Sequence, residues 1–217
     1  MAEDASRAPL DTDQPLHRQD LGPDPFPAFA GWFALAEQAG EPQPNAMALA
    51  TSVDGLPDVR MVLLYRADER GFTFFTNYES SKGAQLRANP EAAVALYWPL
   101  LHRQVRAAGP VTRTSRAESE AYWLGRPWGS RIASTASRQS APSPSRVDLE
   151  ARVQALEQAY PEPPYPDLAH PPLPSFWGGY RLWPRWIEFW QGRRNRLHDR
   201  LRFVRHRGGW RVERLDP

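Results

Sequence analysis

Short runs of alternating apolar and polar residues dominate this chain, and only a few stretches switch to helical spacing. Residues 46–51 (AMALAT), 59–65 (VRMVLLY), 72–76 (FTFFT), 92–98 and 104–111 each read as a strand, and β patterning returns over 176–215. Asp54-Gly55 marks a hairpin, because both residue types accept the positive φ of a tight turn, and residues 68–71 make a second reversal. Helical spacing covers 26–40, where Phe29, Trp32, Phe33 and Leu35 supply a stripe for burial and Gly40 a stop. A short helix is expected over 80–89, capped by Ser80 and ended by Asn89-Pro90. Ser115 and Glu118 have capping-box spacing and open a helix reaching about Leu124; residues 147–160 are helical again. Residues 126–146 are polar and rich in Ser and Arg, with no element assigned. Seven prolines within 161–174 read as extended linker. Residues 1–25 look like a flexible arm and 26–217 like one domain. Hairpin-linked strands without an internal repeat predict a mainly β fold with flanking helices: one antiparallel barrel, helices outside.

Composition narrows the function classes. A hydrophobic fraction of 41% and 12% aromatics exclude wholesale disorder. The net charge of +2 is too small to suggest a nucleic-acid partner. With no cysteine there is no disulfide framework, thiolate metal site or thiol nucleophile. The first residues are acidic and polar, and no run approaches the length of a membrane span, so a soluble, cytoplasmic protein is expected. Of 27 basic residues, Lys82 is the single lysine. Its survival among arginines either marks a place for a compact ammonium or is chance.

Candidate chemistry concentrates in residues 186–203, WIEFWQGRRNRLHDRLRF. Read as two strands around a turn at 191–195, the second strand puts Arg196, His198, Arg200 and Arg202 on one face. A cationic stripe beside Trp190 suits an anionic, planar ligand; an ordinary strand with one wet face accounts for the same arginines equally well. Lys82 follows Ser80 and Ser81 in the first turn of its helix, where free amides and the helix dipole favour phosphate. Gln104 in HRQVR and Gln139-Ser140 after Arg138 offer polar edges to a heteroaromatic ring. Tyr122, Arg126 and Ser130 are spaced four apart and converge on one anion if helical geometry persists past Pro127. No carboxylate pair, HExxH, GxSxG or phosphate-binding Walker loop supports a hydrolase or kinase.

In order along the chain, FFTNYESSKGAQL, RQV, ASRQS, LPSFWGGYR and IEFWQG…RLHDR resemble the pyridoxine/pyridoxamine 5′-phosphate oxidase family. The resemblance implies an FMN-binding split β-barrel, a homodimer with FMN at the subunit interface, and oxidation of the substrate at C4′ by O₂ with release of hydrogen peroxide. It implies that Arg60, Met61, Val62 and Leu63 lie along the flavin, and that Phe75, Thr76, Ser81 and Lys82 hold its phosphate end. Gln104, Gln139, Ser140, Trp190 and Arg200 complete that site. Tyr122, Arg126 and Ser130 match the clamp for substrate phosphate, and Arg196 and His198 match the pair over the reacting carbon. The chain departs from the pattern at Tyr65, where the family usually carries a phosphate-binding lysine, at Ser81 for an arginine, and at Phe75 for a tyrosine. Related flavin oxidases of phenazine biosynthesis also lack that lysine, so the departures bear on substrate identity. A non-catalytic flavin- or haem-binding barrel is a third possibility, which the intact RLHDR block disfavours.

Overall fold

The computed structural model describes residues 14–162 and 171–217. Among the described residues, nine antiparallel strands form the body: β1 (Ala46–Val53), β2 (Leu56–Asp68), β3 (Gly71–Asn77), β4 (Glu91–Trp98), β5 (Arg103–Arg113), β6 (Trp177–Leu182), β7 (Trp186–Gln191), β8 (Asp199–His206) and β9 (Gly209–Leu215). Pairing runs β4-β1-β2-β3-β6-β5, and a further β4–β5 ladder closes these six into a barrel. Strand β5 carries more than one neighbour on its second edge. Val111–Arg113 pairs with β6, whereas Arg103–Ala108 pairs with β7, from which β8 and β9 continue the sheet outward. The expected antiparallel barrel with outer helices is therefore what the chain forms.

Alternation decides which side of each strand is dry. Met47, Leu49, Leu64, Phe72, Phe74, Val94, Leu96, Val105 and Leu182 are all buried and share one core cluster. Helix α2 (Pro25–Ala39) joins that cluster, starting at the Asp24 cap and ending where Gly40 turns left-handed at φ 78°. Its Phe29 meets Phe72 edge-on at 5.3 Å and its Trp32 meets Phe189 at 5.1 Å. Leu35, expected in the buried stripe, is exposed instead, on the helix side away from the barrel.

Three regions differ from the sequence reading. Within the stretch read as a flexible arm, residues 14–25 are docked: they include α1 (Arg18–Leu21), and Leu16 and Leu21 are buried in the main core. The Leu16 amide donates to Asp199 at 3.1 Å and its carbonyl accepts from Arg214 at 2.8 Å, which ties the segment to β8 and β9. Residues 1–13 lie outside the described residues. Residues 126–146, left without an element, contain helix α5 (Trp128–Ala136), which starts directly after Pro127. Of the proline-rich stretch, 163–170 lies outside the described residues, and 171–174 is packed rather than a free linker. There Leu173 is buried beside Trp123 and Trp177, and the Pro171 carbonyl accepts from the Trp123 indole at 2.9 Å.

Candidate active site

Two side-chain groups meet on the wall formed by β2 and β3. The first surrounds α3 (Ser81–Ala88), which follows β3. The Ser80 hydroxyl caps this helix by accepting from the Gly83 amide, and it donates to the Asn77 carbonyl at 2.7 Å. Gly83 is required because a Cβ there would overlap the Tyr78 backbone. Lys82 is consequently turned inward, only 7% exposed, with its ammonium on Gln139 at 2.9 Å and on Ser80 at 3.2 Å. Thr76 donates to the same Gln139 oxygen at 3.1 Å. Burial, assisted by the nearby Arg60 charge, pulls the Lys82 ammonium down to about 8. A buried cation whose hydrogen bonds end on neutral oxygens, in the first turn of a helix, is arranged for an anion. Arg60 reaches the same corner, donating to Thr51 at 2.6 Å and to Gln85 of α3 at 2.8 Å. Ser81 stays exposed at the helix start, Val62 packs on the core, and Ser140 is exposed at φ 71° one residue beyond Gln139.

The second group is aromatic. Phe75 stacks on Tyr122 with centroids 3.9 Å apart and planes 9° from parallel, and Trp177 lies parallel to both. Tyr65 closes the cluster edge-on, 4.6 Å from Tyr122. Arg126 lies over the Trp177 ring at 4.7 Å and donates to Ser134 at 2.9 Å. Arg126 and Ser130 line a cavity of about 400 Å³ together with Asn77, Gln139 and Trp177. Tyr122 on α4 (Arg116–Leu124), Arg126 in the joint and Ser130 on α5 thus come to one place, because helix resumes immediately past Pro127.

A third group stands elsewhere. Gln104, Trp190 and Arg200 are register partners across β5, β7 and β8, forming a row on the face opposite Val105, Phe189 and Leu201. The His198 ring lies 4.6 Å from Trp190, and its Nδ1 accepts from the Arg193 amide at 3.1 Å, which fixes the neutral ring as the Nε2–H tautomer. The second strand begins only at Asp199, so Arg196 and His198 do not share a strand face with Arg200 as the alternation suggested. Arg196 sits in a 3₁₀ turn, where it and Asn195 both take positive φ, 62° and 55°. These left-handed residues break the period of two before the strand starts.

In the six-membered ring, β2 and β5 are separated by two strands whichever way one counts, so they form opposite walls. Met61, Leu63 and Tyr65 on β2 are exposed, and the Gln104 row also faces away from the barrel interior. One chain therefore carries these two surfaces facing outward on opposite walls.

Residues 36–160 match the pyridoxamine 5′-phosphate oxidase family, and residues 177–217 match the pyridoxine 5′-phosphate oxidase C-terminal dimerisation region. The chain belongs to this oxidase family. A pyridoxine/pyridoxamine 5′-phosphate oxidase of Burkholderia cenocepacia is 50% identical over 216 residues, covering 98% of this chain and 95% of that protein. Among solved structures, PhzG from Burkholderia lata 383, in complex with tetrahydrophenazine-1-carboxylic acid, is similar at TM-score 0.86 and 31% identity, covering 95% of this chain and all of that one. An FMN-binding, pyridoxamine 5′-phosphate oxidase-related protein of Nostoc punctiforme shares the fold at TM-score 0.66 and 22% identity, covering 87% and 97%. Beyond the residues expected within this family, the structure adds Asn77 and Trp177 at the cavity and the buried Glu188 behind the Gln104 row. Glu188 had a readable signal, since it lies two residues before Trp190 on the same strand face.

Proposed function

We propose that this chain is an FMN-dependent oxidase that converts pyridoxamine 5′-phosphate or pyridoxine 5′-phosphate to pyridoxal 5′-phosphate, reducing O₂ to hydrogen peroxide, as a homodimer. The observation that carries the reading is Lys82, a buried ammonium bonded to Gln139 and Ser80 in the first turn of α3. That corner fits the phosphate end of FMN, and the row Gln104–Trp190–Arg200 fits the polar edge and flat face of its ring. When bound, FMN supplies the two-electron redox chemistry, and the protein supplies binding and orientation. Arg60, Met61 and Leu63 would flank the ring, with Val62, whose side chain packs on the core, taking part only through its backbone, and Phe75, Thr76, Ser81, Gln139 and Ser140 would flank the phosphate side. Tyr122, Arg126 and Ser130 would hold the substrate phosphate. Arg196 and His198 would come from the other subunit to hold the amine or alcohol at C4′. The dimerisation-region match and the two outward-facing surfaces on opposite walls support the dimer.

The test is twofold: identify the released chromophore by absorbance and mass, and assay the loaded protein with both B6 phosphates. One FMN per subunit and formation of pyridoxal 5′-phosphate are expected; haem or FAD, or bound FMN with no turnover, would refute the reading.

Flavin affinity should also depend on pH through Lys82. Without ligand its ammonium loses the proton near pH 8. Its charged form is needed for phosphate, so FMN affinity should be level below pH 8 and fall toward roughly tenfold per pH unit above it. A fluorescence titration from pH 6.5 to 9.5 reads this, and a flat profile would remove Lys82 from the phosphate site.

A second reading follows from the aromatic cluster of Tyr65, Phe75, Tyr122 and Trp177, which presents rings where a B6 phosphate would want charge. A larger aromatic substrate, such as the phenazine precursors of PhzG-type enzymes, would use that surface. Tyr65→Lys separates the two. Charge-assisted bonds contribute roughly 1.5–3 kcal/mol against about 1 for neutral ones, so the lysine should tighten a B6 phosphate several-fold. The B6 reading expects a lower KM with kcat little changed. Loss of activity on a tricyclic substrate, with the B6 phosphates still poor, would favour the second reading.

A further inference from the structure

Behind the row Gln104–Trp190–Arg200 lies a second register row on the same sheet face, Arg106–Glu188–Arg202. Glu188 is 1% exposed, and three guanidiniums converge on its carboxylate. Arg200 donates from Nε at 3.1 Å and from Nη2 at 3.0 Å to Glu188 Oε1. Arg202 donates from Nη2 at 2.8 Å to Oε2, and Arg106 stands 3.8 Å from Oε1. The guanidiniums of Arg106 and Arg202 also lie over the Trp186 ring, at 5.6 and 4.8 Å, which holds them a second way. The Arg200 Nη1 reaches the Asp216 carbonyl at 2.9 Å. The fork of Arg200 is therefore gripped on two sides before any ligand arrives.

We propose that Glu188 is a positioning residue for the flavin site: its buried carboxylate fixes the Arg200 guanidinium beside Trp190 and so sets the affinity for the flavin ring. This rests on the FMN reading above. Two effects of removing the carboxylate oppose each other. Charge alone predicts tighter binding of anionic FMN, since the cluster goes from one carboxylate among three arginines to none. Positioning predicts weaker binding, because like-charged guanidiniums no longer share an anchor and Arg200 leaves its orientation. Charge-assisted bonds of this type are strong enough that orientation should win.

The test is FMN affinity by fluorescence quenching on the full-length apoprotein, with sedimentation and melting temperature as controls on assembly and fold. Glu188→Gln should bind FMN at least tenfold more weakly while remaining assembled. An unchanged or tighter affinity overturns the proposal, even if the melting temperature falls, because a merely structural role moves only the latter. Arg200→Lys keeps the charge and loses the fork, and it should weaken FMN to a similar degree. The double variant should then be no weaker than the worse single one, and fully additive losses would contradict action through Arg200. If Arg200→Lys has no effect, the FMN reading of the row fails; if it weakens binding and Glu188→Gln does not, only the positioning role fails. Should Glu188→Gln not fold, Glu188→Asp decides. It keeps the charge but shortens the reach by one methylene, so weakened FMN supports positioning and wild-type affinity overturns it.

Discussion

Arg196→Ala should lower turnover of pyridoxamine 5′-phosphate by roughly 10²-fold or more while leaving FMN bound, the range expected when a group that positions substrate or its proton is removed. Arg196 is exposed at a left-handed φ of 62°, next to Asn195 at 55°. Such backbone costs about 1–3 kcal/mol for a residue with a side chain and persists where the surroundings hold it. Here Gly192 is pinned by the His102 carbonyl at 2.7 Å, and the Arg193 amide is taken up by His198. The turn thus lifts Arg196 off the sheet instead of laying it along the strand beside Arg200. It therefore stands outside the Gln104–Trp190–Arg200 row. A flavin contact would be felt in affinity, whereas a substrate contact is felt in kcat and KM. Steady-state kinetics and an FMN titration on the same preparation separate these. Arg196→Ala that loses FMN but regains its rate once refilled would assign the residue to the cofactor.

Met61→Asp should convert the protein to a monomer and lower FMN affinity by about 100-fold or more. Along β2, Val59, Met61 and Leu63 are 65%, 63% and 50% exposed, and Tyr65 adds a ring at 47%. A contiguous apolar strand face of this kind marks an interface. At about 25 cal/mol per Å², covering it is worth several kcal/mol, and a carboxylate buried at its centre without a partner reverses the sign. Flavin should be lost together with the dimer if, as proposed, its ring is held between β2 of one chain and the Trp190 row of another, since β2 and β5 are opposite walls of one barrel. Sedimentation equilibrium alongside the FMN titration checks both. A monomer that still holds FMN tightly would refute the composite site.

Strand pairs and caps were legible because their signals are local. Asp54-Gly55, Ser80 before Lys82, and the Ser115–Glu118 capping box each behave as their residue types dictate. The resemblance names candidate residues, and the strand register brings three of them, Gln104, Trp190 and Arg200, into line. No local pattern reveals that Gln104, Trp190 and Arg200 form one row, since register is set by the whole sheet. Alternation failed at Arg196 and His198 because two left-handed residues intervene before β8. Helix α5 was missed because Pro127 and a serine-rich composition read as loop, while its buried Ile132 and Ala136 are only one stripe wide. The burial of Leu16 and Leu21 is not legible in the sequence, since two apolar residues in a polar stretch look incidental until Asp199 and Arg214 hold that backbone.

If this site takes electrons from a B6 phosphate through FMN, the flavin itself reports it. Mixing FMN-loaded protein with pyridoxamine 5′-phosphate under strict exclusion of oxygen tests it most directly, following the flavin absorbance and the aldehyde together. Complete bleaching, one pyridoxal 5′-phosphate per flavin, and return of the yellow band with one hydrogen peroxide when air is admitted are expected. A flavin that stays oxidised with saturating pyridoxamine or pyridoxine 5′-phosphate would contradict it.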